Sequence, residues 1–366
     1  MTAIAFVLAS WRPDAPAGME RAVAATAAGL RALGHHPVII TADPTAGTSY
    51  TGIPIAHINA LHIPTPTTDD TLRTAINQAA KPLQHELLAI YSRHQVDIAI
   101  YVDGLWGLGR VMPTNAPSRR ILAIHVVGHD ADLHAALARH PTAVIAPSTV
   151  VLHRATARGY DTTRWRVVPN PLLTDPAAPD TEHREHLRQQ APIKILARLG
   201  PEKGVHELLT ATPPIHRPTH VALADAGFEP QAGDQTRLLQ ACRAEAATHR
   251  QLTILPGLPW RSTAGWLADA SAVIVPSLAE TFGLVALEAL SGGTPVIAYD
   301  VDNLPALIGQ GGVVVPRPHG PGALWRAAHD LLADPVTYGR TSRAGYYLSR
   351  DYRPAQIADL LVKVVS

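Results

Sequence analysis

The chain has 366 residues, 46% of them hydrophobic and 17% charged, which is more than one hydrophobic core usually serves and leaves little room for long disorder. Its 31 Lys and Arg against 30 Asp and Glu give a formal net charge of +1, which excludes a general field for nucleic acid or an anionic membrane. A single cysteine, Cys242, excludes an intramolecular disulfide and suits a reducing compartment, so a cytoplasmic location is expected. The apolar start MTAIAFVLASW lacks a basic n-region and soon meets proline, Asp14 and Glu20, so it reads as a buried strand rather than a signal peptide. No run approaches the ~18–20 apolar residues of a membrane span.

In chain order, residues 4–9 are predicted as a strand, 19–33 as a helix and 37–41 as a strand, with further strands at 96–102, 120–125, 143–147 and 165–169. Each strand is nearly continuously apolar, as in a parallel sheet covered on both faces by helices. Gly18 stands at the helix start after the first strand. Trp11, Arg12, Asp103 and Trp106 follow strand ends; Asp103 reads equally as an acceptor contact and as a turn cap. His125 ends another strand. His129, Asp130, Asp132 and His134 have no recognised ligand spacing, so no metal is expected.

Residues 170–192, rich in proline and charge with no sustained apolar face, read as a linker. A second strand series follows at 193–197, 220–224, 252–255, 272–276, 295–299 and 313–315, giving a second doubly wound half. Arg198 follows the first of these strands and Lys203-Gly204 opens the next helix, so two cations converge where a diphosphate could be neutralised. Trp260, in LPGLPW, reads as core or as a platform for a base. The stretch PSLAETFGLVALEALSGGTPVIAYD then reads strand end, loop, helix from about 282, glycine turn and strand. That helix's N-terminus offers N–H groups and partial positive charge to phosphate, and Gly283 lets a ligand approach the backbone. Glu280 before the helix and Glu288 within it can each accept the two hydroxyls of a sugar diol. The tail, 351–366, has apolar Ile357, Leu360, Leu361 and Val364 at helical spacing and reads as a docked amphipathic helix.

The spacing E-x7-E, with T-F-G-L after Glu280 and E-A-L-S-G-G-T-P-V-I-A from Glu288, resembles the signature of family-4 retaining GT-B glycosyltransferases. The segment ILARLGPEKGVHELLTA resembles the same family. The resemblance implies two Rossmann-like α/β domains facing a central cleft: 1–172 for the acceptor, linker 173–191, and 192–350 for a nucleotide-sugar, with helix 351–366 docking back on the first domain. It implies that Glu288 holds the ribose, that Glu280 contacts the donor sugar, and that Thr281, Phe282, Gly283 and Leu284 touch sugar and phosphate. Arg198 and Lys203 would serve the diphosphate, Leu258 would lie near the base, Gly18 would lie beneath the diphosphate, and His125 would face the reacting sugar. Asp103, Trp106 and Trp11 are the expected acceptor contacts. Four segments depart from the family pattern: Ala17-Gly18 replaces a double glycine, Asn170-Pro171-Leu172-Leu173 replaces Asn-Gly followed by an acidic residue, LADAGFE alters a glycine-rich strand exit, and DVDNLPALIGQGG replaces a segment often reading Gly-Gly, then Pro-Glu.

The expected reaction is transfer of a sugar from a UDP, GDP or dTDP sugar, a substrate rather than a cofactor, to a hydroxyl of a small polar acceptor. Retention without metal is implied. The high Ala, Arg and Pro content with few Lys suits a high-GC bacterium, where glycolipid assembly and natural-product tailoring are both common; a first half with no obvious basic amphipathic helix favours the small soluble acceptor of antibiotic or other natural-product biosynthesis. A glycolipid or cell-envelope mannosyl- or glucosyltransferase, a pseudo-glycosyltransferase and an inactive nucleotide-sugar-binding subunit are the alternatives, in a monomer or homodimer. A nicotinamide dehydrogenase is disfavoured, since no G-x-G-x-x-G follows the first strand.

Overall fold

Apolar runs alternating with helices close into two separate parallel sheets. The computed structural model describes residues 1–366 apart from 64–66, 105–106, 117, 129, 215–216, 230 and 366. The chain divides into an N-terminal unit, Met1–Leu173 with Pro354–Ser366, and a C-terminal unit, Thr174–Arg353.

The N-terminal unit runs β1 (Ala3–Leu8), α1 (Gly18–Ala32), β2 (His36–Thr41), β3 (Ser49–Tyr50), β4 (Ile53–His57), α2 (Asp69–Gln78) and α3 (Ala80–His94). It continues with β5 (Ile98–Val102), β6 (Arg119–Ala123), α4 (Asp130–Leu137), β7 (Ala143–Ala146), α5 (Thr149–Ala157) and β8 (Trp165–Val167). Among the described residues the sheet order is β3-β4-β2-β1-β5-β6-β7-β8, parallel except for the short β3. Every residue of β1 and β5 is buried, because helices cover both faces. The strand order reverses between β1 and β5, so loops leaving these two strands diverge and leave room beside their carboxyl ends.

The C-terminal unit begins with α6 (Thr181–Gln190), inside the stretch expected to be linker. Asp180 caps it by accepting from Glu182 N and His183 N. Its anchor is a guanidinium rather than an apolar stripe, which is why the hydrophobic pattern concealed it. Arg184 is 4% exposed and donates to Ala268 O at 2.5 Å, Ala270 O at 2.8 Å and Thr294 Oγ1 at 3.2 Å, and also to the Tyr338 hydroxyl. Removing this side chain would orphan several buried acceptors at once.

The unit continues with β9 (Ile193–Arg198), α7 (Val205–Thr210), β10 (Thr219–Ala224), α8 (Asp234–Ala247), β11 (Leu252–Pro256), α9 (Trp260–Ala268) and β12 (Ala272–Val275). Then follow α10 (Leu284–Ser291), β13 (Val296–Tyr299), α11 (Leu304–Ile308), β14 (Gly312–Val315), α12 (Pro321–Ala333) and α13 (Pro335–Ser349). The order β11-β10-β9-β12-β13-β14 is all parallel, and it reverses between β9 and β12. Numbered from β9, this is the doubly wound order 3-2-1-4-5-6. The last helix, α14 (Pro354–Val365), buries Ile357, Ala358, Leu361 and Val365 and packs on α1 in the N-terminal unit. Its start passes so close to Gly29 that a Cβ there would lie 2.2 Å from Pro354 O. No helix among the described residues is long and apolar enough to cross a membrane.

Candidate active site

In the C-terminal unit the residues singled out by sequence gather at the carboxyl ends of β9 and β12, the neighbouring strands where the sheet order reverses. β9 ends on Arg198, and a one-turn helix, Pro201–Lys203, leads to Gly204 at φ 64°. A Cβ on Gly204 would lie 2.2 Å from Pro276 O, so glycine is required for this segment to cross the end of β12. Leu278 N donates to Glu202 O at 2.8 Å and closes the crossing. Lys203 Nζ then meets Glu280 Oε2 at 2.8 Å, with both side chains 17% exposed. Arg198 Nη2 donates to Glu202 Oε1 at 2.5 Å on a more open edge, the side chains being 37% and 35% exposed. Glu202 had not been marked in the sequence. Its signal was the i,i+4 spacing to Arg198.

After Glu280 the chain turns through half-buried Thr281 and buried Phe282 to Gly283, which is the N-cap of α10 at φ 105°. Sequence reasoning gave Gly283 to ligand approach. The structure adds a packing reason, because a Cβ there would sit 2.8 Å from Leu307 Cδ2 and 3.0 Å from Leu304 Cδ2. Leu284 opens α10 and is buried, and Glu288, one turn further, is 3% exposed. A buried carboxylate on an apolar helix is costly unless it is bonded, which marks Glu288 as more than surface charge.

Leu258 is half-buried just before α9, and Gly257 packs its backbone against Ala224, where a Cβ would lie 2.5 Å from Ala224 Cβ. Trp260 is 4% exposed, so its ring serves mainly as core. The altered exit of β10 is held by side chains in place of glycines. Gln235 bonds both the N–H and the carbonyl of Ala226, while Glu229 accepts from Gly233 N and Gln235 N.

In the N-terminal unit, half-buried Gly18 is the first residue of α1, with Ala17 in extended conformation as the N-cap. Trp11 was expected to touch an acceptor, but its side chain has no exposed surface: its Nε1–H donates to Glu20 O at 2.9 Å and its ring meets Tyr50 edge-on. Asp103 is likewise fully buried, at φ 65°, and its Oδ1 accepts from His125 N and Val126 N at 3.3 Å each. Its visible work is to hold the exit of β6, which favours the cap over the acceptor contact. Trp106 and His129 lie outside the described residues. Asp132 pairs with Arg73 and Arg110, the latter at 2.5 Å, and no group of three or more His, Cys, Asp or Glu among the described residues is arranged to hold a metal.

His125 stands on the wall of a small solvent-connected crevice, with Val23, Thr26, Ile145 and Asn170 among the other lining residues. Crowding by packed atoms pushes its imidazole down to about 4. The neutral ring therefore prevails in the folded chain at neutral pH. Between pH 6.5 and about 4 the unfolded chain holds a proton that the folded ring refuses, so folding stability should fall with acidification across that window, by up to about 1.4 kcal/mol per pH unit from this residue. His94, lowered in the same direction by burial and by Arg93, adds to the loss. His125→Gln should shrink the decrease in Tm between pH 7 and pH 5; an unchanged decrease would contradict the burial argument.

Residues 193–334 match the family described as Glycosyl transferases group 1. The match covers less than half of the chain. A D-inositol 3-phosphate glycosyltransferase of Streptomyces bingchenggensis is 40% identical over 108 residues, which cover 28% of this chain and 24% of that protein. A glycogen synthase of Mycobacterium tuberculosis is 32% identical over 194 residues, covering 51% of this chain and 41% of the other. The matched stretches thus span less than half of these relatives' own length. Among solved structures, sucrose-phosphate synthase from Thermosynechococcus elongatus has a TM-score of 0.76 at 21% identity, with 100% of this chain and 98% of that one covered. Anabaena HepE, solved with UDP-glucose, has a TM-score of 0.74 at 18% identity, covering 99% and 100%. At such identities the likeness establishes the fold, two Rossmann-like α/β domains of GT-B type. The group 1 segment begins at β9 and includes α10, so Arg198, Lys203, Glu280 and Glu288 all lie within it.

Proposed function

We propose that the chain is a nucleotide-sugar-dependent glycosyltransferase whose donor site is the cluster at the ends of β9 and β12. The observation that carries this reading is the Lys203–Glu280 pair at 2.8 Å, set at the switch point of a group 1 segment beside the N-terminus of α10. Lys203 has three N–H donors, so it can keep Glu280 and still reach a phosphate, and Arg198 has five. Glu288 is assigned to the ribose and Glu280 to hydroxyls of the donor sugar, with Thr281, Phe282, Gly283 and Leu284 along sugar and phosphate and Leu258 near the base. The E-x7-E pattern supports membership of the retaining family 4. In the N-terminal unit, Gly18 is assigned to the diphosphate and His125 to the reacting sugar.

Retention fits departure and attack on one face of the sugar. The bond from the anomeric carbon to the phosphate oxygen breaks, the acceptor oxygen bonds to the same carbon, and the acceptor proton passes to the leaving diphosphate. Arg198, Lys203 and the first N–H groups of α10 stabilise the charge that grows on that leaving group, without a metal. The acceptor is a small hydroxyl-bearing molecule, in line with natural-product tailoring.

A thermal-shift panel of UDP, GDP, ADP and dTDP sugars tests the donor assignment. One nucleotide class should raise Tm, since a ligand at a hundredfold its Kd stabilises by about 2.7 kcal/mol. A panel in which no nucleotide shifts Tm would remove the reading.

A further inference from the structure

The loop between β13 and α11 carries Asp302-Asn303 where the resembled family often has Gly-Gly. Asp302 keeps the left-handed backbone natural to glycine, at φ 51°. A Cβ in that region is unfavourable, and Asp and Asn are the side chains that best tolerate it. The two side chains bring bonds that glycine lacks. Asp302 Oδ2 accepts the Glu280 N–H at 2.7 Å, and Asn303 Nδ2 donates to Phe282 O at 2.8 Å. The Asn303 N–H also donates to Glu280 O at 3.3 Å. Two consecutive residues thus grip both polar backbone groups of Glu280 and the carbonyl just before the N-cap of α10.

We propose that Asp302 and Asn303 are positioning residues that hold the Glu280 turn against the donor sugar and so set the preference for a nucleoside diphosphate sugar over the bare diphosphate. This rests on the donor reading above. Glu280 is fixed at its backbone by Asp302 and Asn303 and at its carboxylate by Lys203. Glu288 is fixed differently, by its place inside α10. The sugar contact and the ribose contact are therefore held by separate devices, and loosening the first should leave the second in place.

Asp302→Gly isolates the effect, because glycine accepts the backbone angle and removes only the carboxylate. Asp302→Asn retains an acceptor oxygen. Calorimetric titration of each variant with UDP against UDP-glucose, and with GDP against GDP-mannose, reads the ratio of the two affinities. The expected result is a loss of about tenfold for the sugar nucleotide in Asp302→Gly, with the diphosphate within about twofold of wild type and the ratio largely restored in Asp302→Asn. Equal losses for both ligands would reduce Asp302 to a structural role, and unchanged ratios would remove the proposal, while the donor reading survives either result. A wild-type chain that binds none of the four ligands, nor their ADP and dTDP counterparts, would overturn both.

Discussion

Replacing Glu288 with alanine is expected to weaken nucleotide binding roughly 30- to 1,000-fold, a loss of about 2–4 kcal/mol, while leaving the fold in place. An ionised carboxylate that accepts two ribose hydroxyls makes two charge-assisted hydrogen bonds, and their removal accounts for a loss of this size. The helix itself should tolerate the change, since alanine is the best helix former and α10 keeps its apolar contacts through Leu284, Leu287 and Leu290. Glu288→Gln separates charge from shape: it keeps the length and one acceptor, so an intermediate loss is expected. Titration with the nucleotide that stabilises wild type, beside a circular dichroism melt, measures both quantities. Near-wild-type affinity in Glu288→Ala would move the ribose elsewhere.

The parts of this protein that the sequence displayed best are those whose burial is two-sided. β9, β10, β12 and β13 are largely buried strands bounded by turn residues, and helices cover both faces, so they stand out as apolar runs without any partner being known. β4 was missed because Pro54 is exposed and splits a five-residue run. α6 was missed because a buried arginine anchors it, and composition marks such a stretch as solvent-facing. The same limit applies to candidate site residues. Trp11 and Asp103 sit next to strand ends, where chemistry is often found, yet both turn inward: whether a side chain near a loop faces the core depends on partners as remote as Thr41, whose Oγ1 accepts the Trp11 N–H. Asp302 was the opposite case. Its departure from Gly-Gly was visible, but only its φ and its bond to Glu280 give that departure a purpose.

Arg198→Ala is expected to lower kcat by roughly 10²–10³-fold, with a far smaller change in donor KM. The asymmetry follows from where its interaction grows. The donor diphosphate carries its charge in the ground state, but the bridging oxygen gains charge only as the sugar departs, and a cation aimed there contributes more at the transition state than before it. Arg198 is more than a third exposed and already engaged with Glu202, so solvent and a carboxylate moderate its ground-state pull on a phosphate. Lys203, less exposed and paired with Glu280, should carry more of the ground-state binding, so Lys203→Ala ought to raise KM as well as lower kcat. Glu202→Gln provides the sign test: weakening the competing carboxylate should leave kcat near wild type or raise it slightly. Steady-state kinetics on the three variants, with donor hydrolysis as the readout until an acceptor is found, distinguishes these patterns. An Arg198→Ala variant that changed only KM would place the arginine at the nucleotide rather than at the leaving oxygen.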